Sequence, residues 1–275
     1  MIRARKRFGQ NFLEPAWVDK VVAAIAPTAG DTFLEIGPGH GALTRPLAAR
    51  AGRVVAFEID RDLAADLAAA PPPNLVVEPG DFLDVAADRI RELVPDWPLA
   101  TGDWRLRVAG NLPYNVASPI MFKLVDLYVA GIPLADATLM LQREVADRLT
   151  AVPGTRDYGI LTVLIGHHAT SERVLALPPG AFRPVPKVRS ALVRLRFHPP
   201  DPPARDESVF AAMVQAVFTR RRKTLANALL AFAGAATLPP ARALAAAGID
   251  GRRRPETLSI AELIRVADIF AAKSG

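Results

Sequence analysis

The sequence predicts an α/β fold: a doubly wound sheet with an antiparallel pair at one edge, followed by a small all-helical C-terminal domain. Three observations carry this. Five short apolar runs bounded by turn formers (32–36, 54–58, 75–78, 106–109 and 138–141) alternate with helix-like stretches. That rhythm belongs to a parallel sheet covered on both faces. Two further strand-like runs, 171–177 and 188–197, are joined without a helix, as an antiparallel edge pair would be. Beyond a proline-rich linker at 199–203 there is no strand pattern.

Taken in order, the chain opens on a basic segment, 3–7, which a signal peptide would follow with an apolar core. Gln10, Asn11, Glu14 and Asp19 interrupt any such core. The first strand runs into Glu35-Ile36-Gly37-Pro38-Gly39-His40-Gly41 and then a helix expected over 41–50. The second ends at Glu58 before a helix at 60–69. The third leads to Gly80-Asp81-Phe82, and the fourth to Asn111-Leu112-Pro113-Tyr114 and a helix at 119–129. Two more helices are expected at 142–150 and 158–168. Asp206 or Ser208 would cap the first helix of the C-terminal region. The expected division is an α/β domain over 1–200 and a small helical domain over 205–275.

Composition narrows the chemistry. The 275 residues are 51% hydrophobic and include no cysteine. Disulfides, thiolate metal sites and cysteine nucleophiles are therefore excluded, in keeping with a cytoplasmic protein. No uninterrupted apolar stretch reaches the ~18 residues that span a bilayer, so no membrane partner is expected. His40, His167, His168 and His198 show no ligand spacing, and no metal site is expected.

The formal charge of +6 is unevenly spread, with net +5 on 205–275 and +1 on all that precedes. Segments 3–7 and 183–196 carry +4 and +5 without a single acid. An otherwise acidic body with basic segments suits a binder of phosphate backbones. The residues in question are Arg5, Lys6 and Arg7; Arg183, Lys187 and Arg189; and Arg220, Arg221, Arg222 and Lys223. The plain alternative is a proteome rich in Arg.

The turn at Gly37, Gly39 and Gly41 lets a ligand approach backbone N–H groups at a helix start. Its GxGxG spacing is not the dinucleotide fingerprint and is weak by itself. Glu58, 21 positions after Gly37, sits where α/β folds place an acid for ribose hydroxyls. Asp81 is placed to accept from an adenine amine. These positions suit either a nicotinamide dinucleotide or S-adenosylmethionine.

The tetrapeptide decides between them, since hydride transfer has no use for it. An adenine amine is a poor nucleophile because its lone pair is delocalised. Accepting its two hydrogens moves the nitrogen toward a tetrahedral shape. Asn111 Oδ1 and the Leu112 carbonyl are candidate acceptors, Pro113 fixes that carbonyl, and Tyr114 offers a stacking face worth ~1–3 kcal/mol. Phe182, in a proline-stiffened basic loop, is either a second stacking ring or a core anchor.

With these motifs in view, the chain resembles the small-subunit (16S) ribosomal RNA adenine dimethyltransferases. The resemblance rests on Lys6-x-x-Gly9-Gln10-Asn11-Phe12-Leu13, on Glu35-Ile36-Gly37-Pro38-Gly39-x-Gly41-x-Leu43-Thr44 and on Asn111-Leu112-Pro113-Tyr114-Asn115. Leu141-Gln142-x-Glu144-Val145, Tyr158-Gly159 and Phe182-x-Pro184-x-Pro186-Lys187-Val188-x-Ser190 add to it. It covers residues 1 to about 225. It implies a seven-stranded class I methyltransferase sheet and S-adenosylmethionine as methyl donor. Asn11 and Leu13 would lie against the cofactor with Gly37, Glu58, Asp81 and Asn111. The implied substrate is the RNA of immature small ribosomal subunits, dimethylated at two adjacent adenosines near its 3′ end by a monomeric enzyme. Two readings compete: a large-subunit RNA adenine methylase of the macrolide-resistance type, and a non-catalytic nucleic-acid-binding factor on the same fold. A DNA adenine methyltransferase is a third.

Overall fold

The structure, a computed structural model, describes residues 11–94 and 105–272. Its strands are β1 (Phe12–Leu13), β2 (Asp31–Ile36), β3 (Arg53–Glu58), β4 (Leu75–Pro79), β5 (Arg105–Asn111), β6 (Leu134–Gln142), β7 (Ala169–Leu177), β8 (Phe182–Arg183) and β9 (Ser190–Phe197). The helices are α1 (Pro15–Ile25), α2 (Thr44–Ala48), α3 (Arg61–Ala69), α4 (Ala87–Leu93), α5 (Ala117–Val129), α6 (Arg143–Leu149), α7 (Ile160–Gly166), α8 (Glu207–Thr219), α9 (Leu225–Leu229), α10 (Pro240–Ala247) and α11 (Ile260–Ala271).

The chain forms two compact units. The first holds the residues up to Ala146 together with Ser171–Phe197. Seven strands lie in the order β4-β3-β2-β5-β6-β9-β7. β2 to β6 pair in parallel, and β9 runs antiparallel to β6 with Gln142 opposite Ser190. β2 is buried at all six positions, as a central strand covered on both faces must be. The chain steps outward from β2 through β3 to β4, then returns to place β5 on the other side of β2. That reversal opens a crevice at the C-terminal ends of β2 and β5. Ile36 pairs with Gly110, so Gly37 and Asn111 leave the sheet side by side. A separate two-stranded ladder joins β1 to β8, Leu13 facing Phe182.

Local chemistry explains most element ends. Asp60 caps α3 by accepting from the Asp62 N–H. Asp206, not Ser208, caps α8, its Oδ1 accepting from the N–H groups of Ser208 and Val209. α2 is shorter than the helix expected over 41–50, because Gly41 holds a φ of 80° that no helix continues. β6 begins four residues earlier than the apolar run at 138–141. The charged Asp136 inside it is neutralised by Arg107, 2.9 Å away.

The second unit comprises 147–170 and 198–275, a division that differs from the boundary expected at 200. Tyr158 and Val163 are 2% and 0% exposed within an apolar core built with Phe210, Val217, Leu263 and Phe270 of the C-terminal helices. Helical periodicity shows that a stretch has an apolar face, not which core receives it. Among the described residues no helix is long and apolar enough to cross a membrane.

Candidate active site

A cavity of about 260 Å3 occupies the crevice at the strand ends. Asn11, Gly37, Gly39, Glu58, Asp81 and Asn111 all line it, with Pro113 and Asn115. Four successive strand ends thus converge as the alternating pattern requires.

Glu58 is 3% exposed. Its two carboxylate oxygens accept from the N–H groups of Gly39 and Asp60, each at 2.9 Å. The carboxylate therefore braces the glycine turn from the next strand and keeps lone pairs for a ligand's hydroxyls. Burial pushes its pKa up, against the pull of these backbone donors. Gly39 sits at φ 58°, and a Cβ there would come within 2.9 Å of the Phe12 ring. Only glycine fits between the turn and the wall opposite. Asp81 accepts from the Leu83 N–H at 2.9 Å and so caps a short turn of 3-10 helix that holds Phe82 against Phe57.

Asn111 ends β5 and donates its Nδ2 to the Asn11 carbonyl at 2.6 Å. That partner can only accept, so the amide's orientation is set, and Oδ1 remains as its acceptor. Leu112 is 1% exposed, buried under the site. Tyr114 lies between two wall residues, its hydroxyl 2.8 Å from Ser190 Oγ at the start of β9. Burial raises the pKa of that hydroxyl, with Ser190 opposing, so the neutral phenol serves as an anchor rather than a base.

Two expected site residues fall elsewhere. Leu13 is 6% exposed and Phe182 is 1% exposed, both within the apolar core of the first unit. In the two-residue ladder alternate side chains face opposite ways: Phe12 lines the cavity and Leu13 faces the core. Phe182, opposite Leu13, packs in the same core. Arg5, Lys6 and Arg7 lie outside the described residues.

The remaining basic residues divide. Lys187, Arg189, Arg220, Arg222 and Lys223 are exposed. Arg183 is also exposed, but pairs with Glu14 at 3.3 Å. Arg221 is partly covered and donates to the Arg156 carbonyl at 2.9 Å. Arg194 and Arg196 both engage Glu172, so the acid-free run 183–196 is not a uniformly free surface.

Sequence reasoning missed two features. Ile59 is a 43% exposed aliphatic residue in the cavity wall, an apolar surface next to Glu58. Glu35 is 2% exposed, and its Oε2 has no hydrogen-bond partner. Burial pushes its pKa up to about 8, opposed by the Thr44 hydroxyl and reinforced by the charge of Glu58. An acid inside a run that is otherwise apolar was the available signal.

The sheet order, the crevice at its reversal and the acid at the second strand end define a class I methyltransferase fold. The sequence pattern of "Ribosomal RNA adenine dimethylase" matches residues 1–272. The chain belongs to that family of S-adenosylmethionine-dependent enzymes, whose substrate is ribosomal RNA. It is 42% identical over 275 residues to a "Ribosomal RNA small subunit methyltransferase A" from Aromatoleum aromaticum, covering 99% of this chain and 96% of that one. A protein of the same name from Anaeromyxobacter dehalogenans is 46% identical over 269 residues, covering 95% and 91%. Among solved structures, a dimethyladenosine transferase from Plasmodium falciparum shares the fold with a TM-score of 0.72 and 24% identity, covering 96% and 98%. The 23S rRNA methyltransferase ErmE gives 0.63 and 27%, covering 95% and 100%.

Proposed function

We propose that this chain transfers methyl groups to the exocyclic amines of two adjacent adenosines near the 3′ end of small-subunit (16S) ribosomal RNA. It acts as a cytoplasmic monomer on immature small subunits. The observation that carries the reading is the side-by-side exit of Gly37 and Asn111 into one cavity. It sets a cofactor turn directly against an amide of fixed polarity.

S-adenosylmethionine, when bound, supplies an electrophilic methyl group. The residues present fit its adenosine: Glu58 for the ribose hydroxyls, Asp81 for the adenine amine, Ile59 and Phe82 for the ring faces, and Asn11, Gly37 and Gly39 for close backbone approach. Asn111 Oδ1 and the Leu112 carbonyl accept the hydrogens of the target amine, and Pro113 holds that carbonyl. Tyr114, anchored through Ser190, offers the base a stacking face. Alignment of the amine with the methyl group supplies the rest of the acceleration.

The second unit serves substrate engagement, with Arg220, Arg222 and Lys223 against phosphates. Lys187 and Arg189 of the first unit do the same near Tyr114. The competing large-subunit reading is favoured by the likeness to ErmE at 27% identity, against 40–46% for relatives named for the small subunit. A methyl-transfer assay on purified immature small subunits and on large subunits decides. Dimethyladenosine at two adjacent positions of small-subunit RNA is the expected product; methyl groups on large-subunit RNA alone would overturn the proposal.

A further inference from the structure

The second unit contains a cluster unconnected with methyl transfer. His167 caps the C-terminus of α7, His168 leads into β7, and Glu207 opens α8. Forty residues of chain separate the histidines from the acid, so spacing gives no hint of their meeting. Folding brings one potential ligand atom from each within 4.8 Å of the others. His167 Nε2 lies 3.0 Å from Glu207 Oε1, and His168 Nε2 lies 3.7 Å from Oε2. The two rings are 4.6 Å apart, and Phe210 packs 4.9 Å from the first.

A hydrogen-bonded clasp accounts for His167 and Glu207 but not for His168. His168 is 6% exposed. Its Nε2 contact is beyond hydrogen-bond length, and its Nδ1 is buried with no hydrogen-bond partner among the described residues. A buried imidazole with neither nitrogen firmly engaged calls for a missing water or ion. Burial and the neighbouring His167 lower its pKa, against the pull of Glu207. His198 stands by as a backbone neighbour: its N–H donates to the His168 carbonyl at 2.9 Å, and its ring is turned to the Pro199 carbonyl.

We propose that His167, His168 and Glu207 bind a zinc-class divalent cation within the second unit. Ligands ~2.0–2.1 Å from a tetrahedral zinc are about 3.4 Å from one another, a spacing the three groups reach with small side-chain shifts, since one ligand atom from each already lies within 4.8 Å of the others. Two imidazoles and one carboxylate select zinc-class ions over calcium and magnesium, which prefer all-oxygen shells. The Glu207 side chain is 45% exposed, which leaves the remaining position to water. The ion would tie the end of α7 to the start of α8, and the proposal stands or falls independently of the RNA substrate.

The test uses the full chain without a histidine tag, stripped with a chelator and titrated with Co2+ as a spectroscopic probe and then with Zn2+. One equivalent of Co2+ should produce a visible ligand-field band that Zn2+ displaces, and Zn2+ should raise the unfolding temperature of the second unit. Glu207→Gln, at a solvent-facing position, and His168→Ala should each abolish the band, whereas His198→Ala should keep it. Circular dichroism and S-adenosylmethionine binding report that each variant is folded. A wild-type chain that gives no band, or a folded Glu207→Gln protein that keeps it undiminished, would overturn the site.

Discussion

β2 carries two buried acids, Asp31 at its start and Glu35 near its end, and the sheet treats them in opposite ways. Asp31 is 0% exposed and sits between two arginines. It accepts from the Thr28 N–H at 2.7 Å and pairs with Arg107 at 2.9 Å and Arg105 at 3.1 Å. Arg107 in turn reaches Asp136 and the carbonyls of Ile25 and Ala26. That end of the sheet is a charged rivet between α1, β2, β5 and β6. At the other end Glu35 has one oxygen without a partner and a second acid, Glu58, as its neighbour. A buried acid fully matched by cations holds a fold together. One left with an acid neighbour marks the place where a ligand completes the set.

The difference can be broken first at the rivet. Arg107→Met leaves the buried Asp31 with Arg105 alone and takes the cation from the half-buried Asp136, a change expected to destabilise the protein by ~3 kcal/mol. Urea unfolding should show this as a lower midpoint, while any folded fraction binds S-adenosylmethionine as before. An unaltered midpoint would mean that both ends of β2 are equally dispensable to the fold.

At the cavity end the expected losses fall on function. Asn111→Ala should lower the single-turnover methylation rate by about 100–1000-fold, the range for removal of one preorganised group. Cofactor affinity should change far less. A near-wild-type rate would reject the role of the amide. Glu58→Ala removes a carboxylate whose charge-assisted bonds are worth ~1.5–3 kcal/mol each. Calorimetry on the folded variant should show markedly weaker S-adenosylmethionine binding, and unchanged affinity would sink the ribose assignment.

The smallest effect concerns Glu35 and pH. Its folded pKa of about 8 lies above the ordinary value of 4.5, so the folded protein holds a proton that the unfolded chain releases. The corresponding stability is complete below pH 4.5 and is lost as pH rises through 8. Between pH 6 and 7 this is about 1 kcal/mol. Glu35→Gln, permanently neutral, should gain on the wild type by that amount in urea midpoints compared at the two pH values. Parallel pH profiles would show that Glu35 is ionised and partnered after all.

Much of this contrast was legible from the residues, and the remainder was hidden for identifiable reasons. Apolar runs gave the central strands because a strand covered on both faces leaves no room for polar residues. The same logic started β6 at Thr138, beyond Asp136, since a charge reads as an end until its partner is known. The β1–β8 ladder, two residues on each side, is too short for any periodicity. Without it the packing of Leu13 against Phe182 could not be foreseen. The meeting of His167 with Glu207, like the allegiance of 147–170 to the second unit, is decided by contacts across the chain that local pattern does not encode.

The hydrogen bond from Asn111 Nδ2 to the Asn11 carbonyl has a consequence for how the reaction ends. An amide oriented this way has Oδ1 as its one acceptor, and an amino base held as proposed can give a hydrogen to it, which a carbonyl edge of uracil or guanine cannot. With the target held as proposed, unmodified adenosine offers two hydrogens to two acceptors. After one methylation a single hydrogen remains, and after two there is none. Each turnover therefore loosens the enzyme's grip on its own product, and the finished nucleoside is evicted because it has nothing left to give. Dimethylation becomes a built-in stopping rule, counted in hydrogens.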